Sequence, residues 1–202
     1  KFMNKKIGPD KFLIDELILN YQNQNYKKTK ILAEKIVRSF PNYFFAWKIL
    51  GFLLFKENKL DQSIGFLKTA IKINSTDHEI YNILGKANLL LGKLNEAESN
   101  FFTATSLNYN YFDAQFNLAM TNAKLGKFHE AEVVYKIAIE LNSNHAQSHY
   151  NLGNVYVKLK NYEKAEKLYN TETPLPEWQE IEFLNNELIT EEYYNNVGHP
   201  DI

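Results

Sequence analysis

The sequence predicts an all-α array of two-helix units, and three observations carry that prediction. A large apolar residue beside a very small one recurs every 34 residues, as Leu50-Gly51, Leu84-Gly85, Leu118-Ala119 and Leu152-Gly153. A second column of small residues (Ser63, Ala97, Ala131, Ala165) keeps the same period. Each is followed four positions later by a bulky residue (Leu67, Phe101, Tyr135, Tyr169), and in three units by another alanine (Ala70, Ala104, Ala138). The i, i+4, i+7 spacing puts these side chains on one helical face. Small residues at a crossing let two backbones approach while large ones fill the flanking space. One unit cannot bury such a face alone, so neighbours stack and share it.

Taken in order, residues 1–9 are expected to be a flexible N-terminus and 10–43 a degenerate first repeat, with Leu17 in the Gly51 register and Phe40-Pro41-Asn42 at its end. Three full repeats follow over 44–77, 78–111 and 112–145. The first helix of each unit carries Trp47, Tyr81, Gln115 or His149 three positions before the Leu-small pair. It stops at Glu57-Asn58-Lys59, Gly92-Lys93, Gly126-Lys127 or Lys160-Asn161, breaks of the kind that accept a left-handed helix end. Residues 146–170 form a partial repeat, because the next alanine column holds Glu172, and Pro174 and Pro176 prohibit helix continuation. The acidic segment 171–202 contains an amphipathic stripe of Trp178, Ile181, Leu184 and Leu188, expected as a C-terminal helix that caps the array or begins another region.

Composition narrows the function classes. The chain has 202 residues, 45% of them hydrophobic, enough for a substantial core. It has no cysteine, which excludes disulfides and thiolate metal sites. No signal-peptide pattern or membrane-length apolar run is visible, so a soluble, cytoplasmic protein is expected. The net charge of −1 hides an asymmetry: residues 171–202 hold eight acids and no Lys or Arg, leaving 23 basic against 16 acidic residues before them. Arg38 is the one arginine, and lysine lacks the planar fork suited to bases and phosphates, so nucleic acid is not expected as a partner.

Over residues 44–169 these columns resemble the tetratricopeptide repeat. The departure is the proline that usually ends the second helix, replaced by Ser75, Tyr109 and Ser143, each preceded by an asparagine. The resemblance implies a right-handed superhelical solenoid of antiparallel helix pairs, with the first helices lining a concave groove. Carried onto this chain, the groove positions are Lys48, Phe52, Lys56, Asn82, Lys86, Phe116, Asn117, Met120, Lys124, Tyr150, Asn151, Asn154 and Lys158. In members that hold extended peptides, asparagines at the Asn117 and Asn151 positions grip the peptide backbone; Ile49 and Ile83 stand at the equivalent places here. The family's carboxylate clamp is not expected, since Phe52 and Ile83 replace two of its asparagines.

The function these readings imply is a non-catalytic scaffold binding a protein or peptide segment in the groove, with the lysines favouring an acidic ligand. The alternative is the substrate-docking array of a larger enzyme, because similar arrays precede glycosyltransferase, sulfotransferase and oxygenase domains. The acidic segment either caps the last repeat or lies across the lysine-lined groove as an intramolecular ligand. No catalytic constellation, cofactor motif or metal site is expected. His145 and His149 have chelating spacing on a helix, but His149 occupies a packing column and a third ligand is missing. His199 and Asp201 have the spacing of an iron-oxygenase pair without the further histidine such a site requires.

Overall fold

The computed structural model describes residues 8–169. The expected acidic helix and its proposed contacts lie outside the described residues, as does most of the N-terminal stretch. Among the described residues every regular element is an α-helix: α1 (Lys11–Gln22), α2 (Tyr26–Ser39), α3 (Phe44–Lys56), α4 (Leu60–Ile73), α5 (His78–Leu90), α6 (Leu94–Leu107), α7 (Phe112–Lys124), α8 (Phe128–Leu141), α9 (Ala146–Lys158) and α10 (Tyr162–Tyr169). The chain divides into two compact units, residues 1–108 and 109–202.

In unit 1, which holds α1 to α6, each helix packs on the next and α3 also touches α5. Leu17, Ala33, Ile36 and Leu50 belong to one buried cluster, and Leu67, Ala70, Ile80 and Leu84 to a second. Unit 2 repeats the arrangement with α7 to α10, α7 meeting α9 across one face. Its core gathers Ala119, Ala131, Tyr135, Leu152 and Ala165.

The small-residue columns do what the spacing predicts. A Cβ placed on Gly51 would lie 2.6 Å from Leu67 Cγ, and one on Gly85 or Gly153 would fall within 3 Å of the Phe101 or Tyr169 ring. No real carbon tolerates such distances, so glycine is what lets the two helices of a pair cross this closely. Ser63, fully buried where other repeats have alanine, donates its hydroxyl to the Gly51 carbonyl at 2.6 Å.

Helix ends keep the period further than the packing columns do. Among the described residues, those with positive φ are Gln24, Asn58, Gly92, Gly126 and Lys160, each 34 positions from the next. One residue later, the backbone N–H of Asn25, Lys59, Lys93, Lys127 and Asn161 bonds to the carbonyl five residues earlier, at 2.8–2.9 Å. This is the Schellman helix stop. It appears at α1 as at α9, so the loosely patterned first pair shares the backbone turn of the others. The asparagines that precede the missing prolines are the C-caps of α4, α6 and α8; they stop the helix with φ between −137° and −146°, an extended rather than left-handed backbone.

Three of the four residues that stand three positions before the Leu-small pair share a hydrogen bond. Trp47 Nε1 donates to the Pro41 carbonyl, Gln115 Nε2 to Tyr109 and His149 Nε2 to Ser143, each at 2.8 Å and each six residues back. In these three repeats a side-chain N–H pins the incoming turn, so glutamine and histidine do there what tryptophan does. That bond fixes the proton of His149 on Nε2, because a carbonyl only accepts.

Candidate functional site

The expected groove residues fall on the first helices of the pairs, and the two units treat them differently. In unit 1 they are engaged with other residues of the protein. Lys48, its side chain 15% exposed, reaches from α3 to the start of α5, where it bonds Asp77 at 2.7 Å and also Glu79. Asp77 in turn caps α5 by accepting from the N–H groups of Glu79 and Ile80. Burial alone would lower the Lys48 pKa, but the bonds to Asp77 and Glu79 outweigh it and the ammonium is held above its ordinary value. Lys48 therefore serves as a strut between helices.

Lys56 donates to the Tyr26 hydroxyl at 2.9 Å and sits over the Tyr26 and Phe52 rings, 4.8 and 5.3 Å from their centroids. Phe52 packs edge-on against Tyr21, with ring centroids 5.6 Å apart. Asn82, expected from the sequence as a groove contact, is on α5 and only 2% exposed. Lys86 is half-buried on α5.

Unit 2 differs. Met120 and Lys124 of α7, and Asn151, Asn154 and Lys158 of α9, line one open cleft of about 410 Å³. Phe128 and Tyr135 of α8 contribute as well. On α9, Gln147, Asn151, Asn154 and Lys158 follow one another at i, i+4, i+7 and i+11, a single stripe along the helix. Lys124 and Lys158 are exposed, and neither makes an ion pair among the described residues. The carboxamide of Asn154 accepts a bond from the Tyr169 hydroxyl at 2.7 Å. Tyr135 is 1% exposed; burial pushes its phenol well above the ordinary value, only partly offset by a hydrogen bond with Asn151.

Three expected positions are not part of this cleft. Phe116 stands among aromatic rings, with centroid distances of 6.2 Å to Phe112, 4.9 Å to His145 and 6.1 Å to Tyr135. Tyr150 is buried and packs on Tyr169 at 5.8 Å. Asn117 is likewise buried, and its backbone carbonyl accepts from Thr121. In this structure their size or polarity is used inside the unit. Gln147 is a polar cleft residue that the sequence reading missed, and Phe128 and Tyr135 of α8 were also not among the expected groove positions. Extending the Asn151–Asn154–Lys158 stripe back by one turn would have found Gln147.

The two histidines do not converge on a metal. His145, at the N-cap position of α9, holds Nδ1 2.9 Å from Ser148 Oγ, while His149 is held by Ser143. Among the described residues, no group of three or more His, Asp or Glu side chains is placed to hold an ion, and no helix is long and apolar enough to cross a membrane.

Comparison with known proteins agrees with the helix-pair fold. Residues 122–160 match the family model for the TPR repeat. The crystal structure of MamA protein superposes with a TM-score of 0.70 over 95% of this chain and 96% of that one, at 19% identity. That of YrrB, a TPR protein with an unusual peptide-binding site, gives 0.71 over 91% of this chain and 90% of the other, at 18% identity. The fold is that of a tetratricopeptide-repeat array. No match is found among curated proteins. The tetratricopeptide segment matched by sequence runs from Asn122 to Lys160, and so contains α8, α9 and most of the cleft lining.

Proposed function

We propose that this chain is a non-catalytic interaction scaffold that holds an extended, acidic protein or peptide segment in the cleft between α7 and α9. The observation that carries this reading is the contrast in how the lysines are used. Lys48 and Lys56 are already engaged by Asp77, Glu79 and Tyr26. Lys124 and Lys158 line an open cleft together with uncharged amides and the apolar side chains of Met120 and Phe128. Two uncompensated ammonium groups at the rim attract a carboxylate-bearing segment and raise its rate of encounter. The apolar floor supplies contact area that charge alone does not. The solved structures that share the fold include a peptide-binding protein, which fits the same use of the fold.

The test is fluorescence anisotropy with a labelled glutamate-rich decapeptide. Reversing Lys124 and Lys158 to glutamate should weaken binding on the order of 10-fold or more, and the wild-type affinity should fall with added salt. Reversing Lys68 and Lys72, exposed on α4, makes the same change in net charge and should have a far smaller effect. Equal losses from both double variants would mean that the peptide senses total charge, and the cleft would lose its claim.

A further inference from the structure

The bulky column of the second helices separates the units by one chemical group. It holds Leu67 and Phe101 in unit 1, and Tyr135 and Tyr169 in unit 2. Packing accounts for the bulk in all four, since each closes over the small residue of its partner helix. It does not account for the hydroxyls. A buried phenol loses hydration that only a bond within the protein restores, and Tyr169 makes such a bond to Asn154 Oδ1 at 2.7 Å.

A carboxamide has one acceptor oxygen and two N–H donors. The O–H···O bond from Tyr169 exists in only one of the two amide orientations, the one with the oxygen turned to the phenol. The Asn154 amide nitrogen makes no bond among the described residues, and Asn154 lines the cleft beside Lys158. Both charged groups of the cleft, Lys124 and Lys158, are donors without acceptor capacity.

We propose that Tyr169 is a positioning residue: by holding Asn154 Oδ1 it turns the amide N–H groups into the cleft, so that this end of the site selects hydrogen-bond acceptors. The ligand class that follows is an extended chain rich in carbonyl and carboxylate oxygens, and a lysine-rich segment is rejected because it brings donors to donors. This deepens the peptide-binding reading and rests on it.

The experiment has a ligand-free arm and a ligand arm. Tyr169→Phe keeps the ring over Gly153 and removes only the hydroxyl. In the free protein, the ¹⁵N side-chain amide resonances of Asn154 should shift in this variant while Asn161 stays in place; an unmoved Asn154 would overturn the positioning role. In the second arm, wild type, Tyr169→Phe, Asn154→Ala and the double variant are titrated with acetyl-(Glu-Ala)4-amide and acetyl-(Lys-Ala)4-amide. Wild type should prefer the glutamate peptide, Tyr169→Phe should bind it about 5- to 10-fold more weakly, and the double variant should be no weaker than Asn154→Ala. Additive losses would show that Tyr169 does not act through Asn154. Asn154→Asp, which can still accept from Tyr169 but offers no donor, should lose the glutamate preference without losing thermal stability; retention of the preference would contradict the proposal. If wild type binds neither peptide, the peptide-binding reading itself falls, and the amide resonances still decide whether Tyr169 orients Asn154.

Discussion

Unit 1 and unit 2 are built from the same helix pair, yet one satisfies its own first-helix side chains and the other leaves some of them open. In unit 1, Lys48 is a strut to Asp77 and Glu79, Lys56 lies over two rings, and Asn82 is buried. In unit 2 the corresponding face keeps Lys124 and Lys158 exposed around a cleft with Gln147, Asn151 and Asn154. The repeat fixes where a side chain stands, but the neighbours in three dimensions decide whether it is structural or available. Asp77 and Glu79 at the start of α5 convert a groove lysine into a brace.

Changes that bear on this contrast can be ranked by size. The largest is Phe101→Ala, which should destabilise unit 1 by about 3–5 kcal/mol in urea denaturation, because the ring closes directly over Gly85. Its counterpart Tyr135→Phe keeps the ring and should cost only about 1 kcal/mol, the worth of the bond with Asn151. Near-equal losses would mean that the hydroxyl is as structural as the ring, and would erase the distinction between the units.

Lys48→Ala should come next, at about 1–2 kcal/mol, since it leaves Asp77 and Glu79 facing each other without their shared cation. Peptide affinity in the unit 2 cleft should not change. A drop in affinity without a drop in stability would return Lys48 to the binding surface.

Lys160→Gly should stabilise unit 2 by roughly 0.5–1 kcal/mol by relieving a left-handed backbone at φ 57°, seen as a higher melting temperature. Gly126→Ala, at φ 76° in the same register, should destabilise it by a similar amount. A stabilising Gly126→Ala would contradict the shared helix stop.

The smallest effect concerns pH. Burial holds the His145 pKa below its ordinary 6.5, against the pull of Asp113 and with the push of His149. The unfolded chain therefore binds the proton more readily than the folded one, and stability should fall as pH drops through about 6.5 toward the depressed folded value. Asparagine is a favoured N-cap residue and does not titrate, so His145→Asn should flatten that part of the stability profile. An unchanged slope would assign the dependence to another group.

Much of the fold was legible because it rests on short-range repetition. The Leu-small pairs, the Ala columns and the breaks at Asn58, Gly92, Gly126 and Lys160 each state a local constraint that recurs, and recurrence separates them from chance. Gln24 carried the same constraint unseen, since glutamine gives no sign of a left-handed backbone and the turn is imposed by the stacked pair. The site was less legible. Helical spacing put Lys48 among the first-helix groove positions together with Lys124 and Lys158, but nothing in the sequence near Lys48 says that Asp77 and Glu79, some thirty residues away, will claim it. Burial of Asn82, Asn117 and Tyr150 is likewise a property of the neighbouring helices, which spacing along one helix does not encode.

The central claim is that binding belongs to unit 2 and not to the repeat array at large. Chemical-shift mapping of the ¹⁵N-labelled chain during titration with the glutamate-rich decapeptide tests it most directly. Shifts centred on Lys124, Gln147, Asn151, Asn154 and Lys158, with Lys48, Phe52, Lys56 and Asn82 unmoved, are the predicted result. Shifts centred on α3 and α5, with the α7–α9 cleft silent, would contradict it.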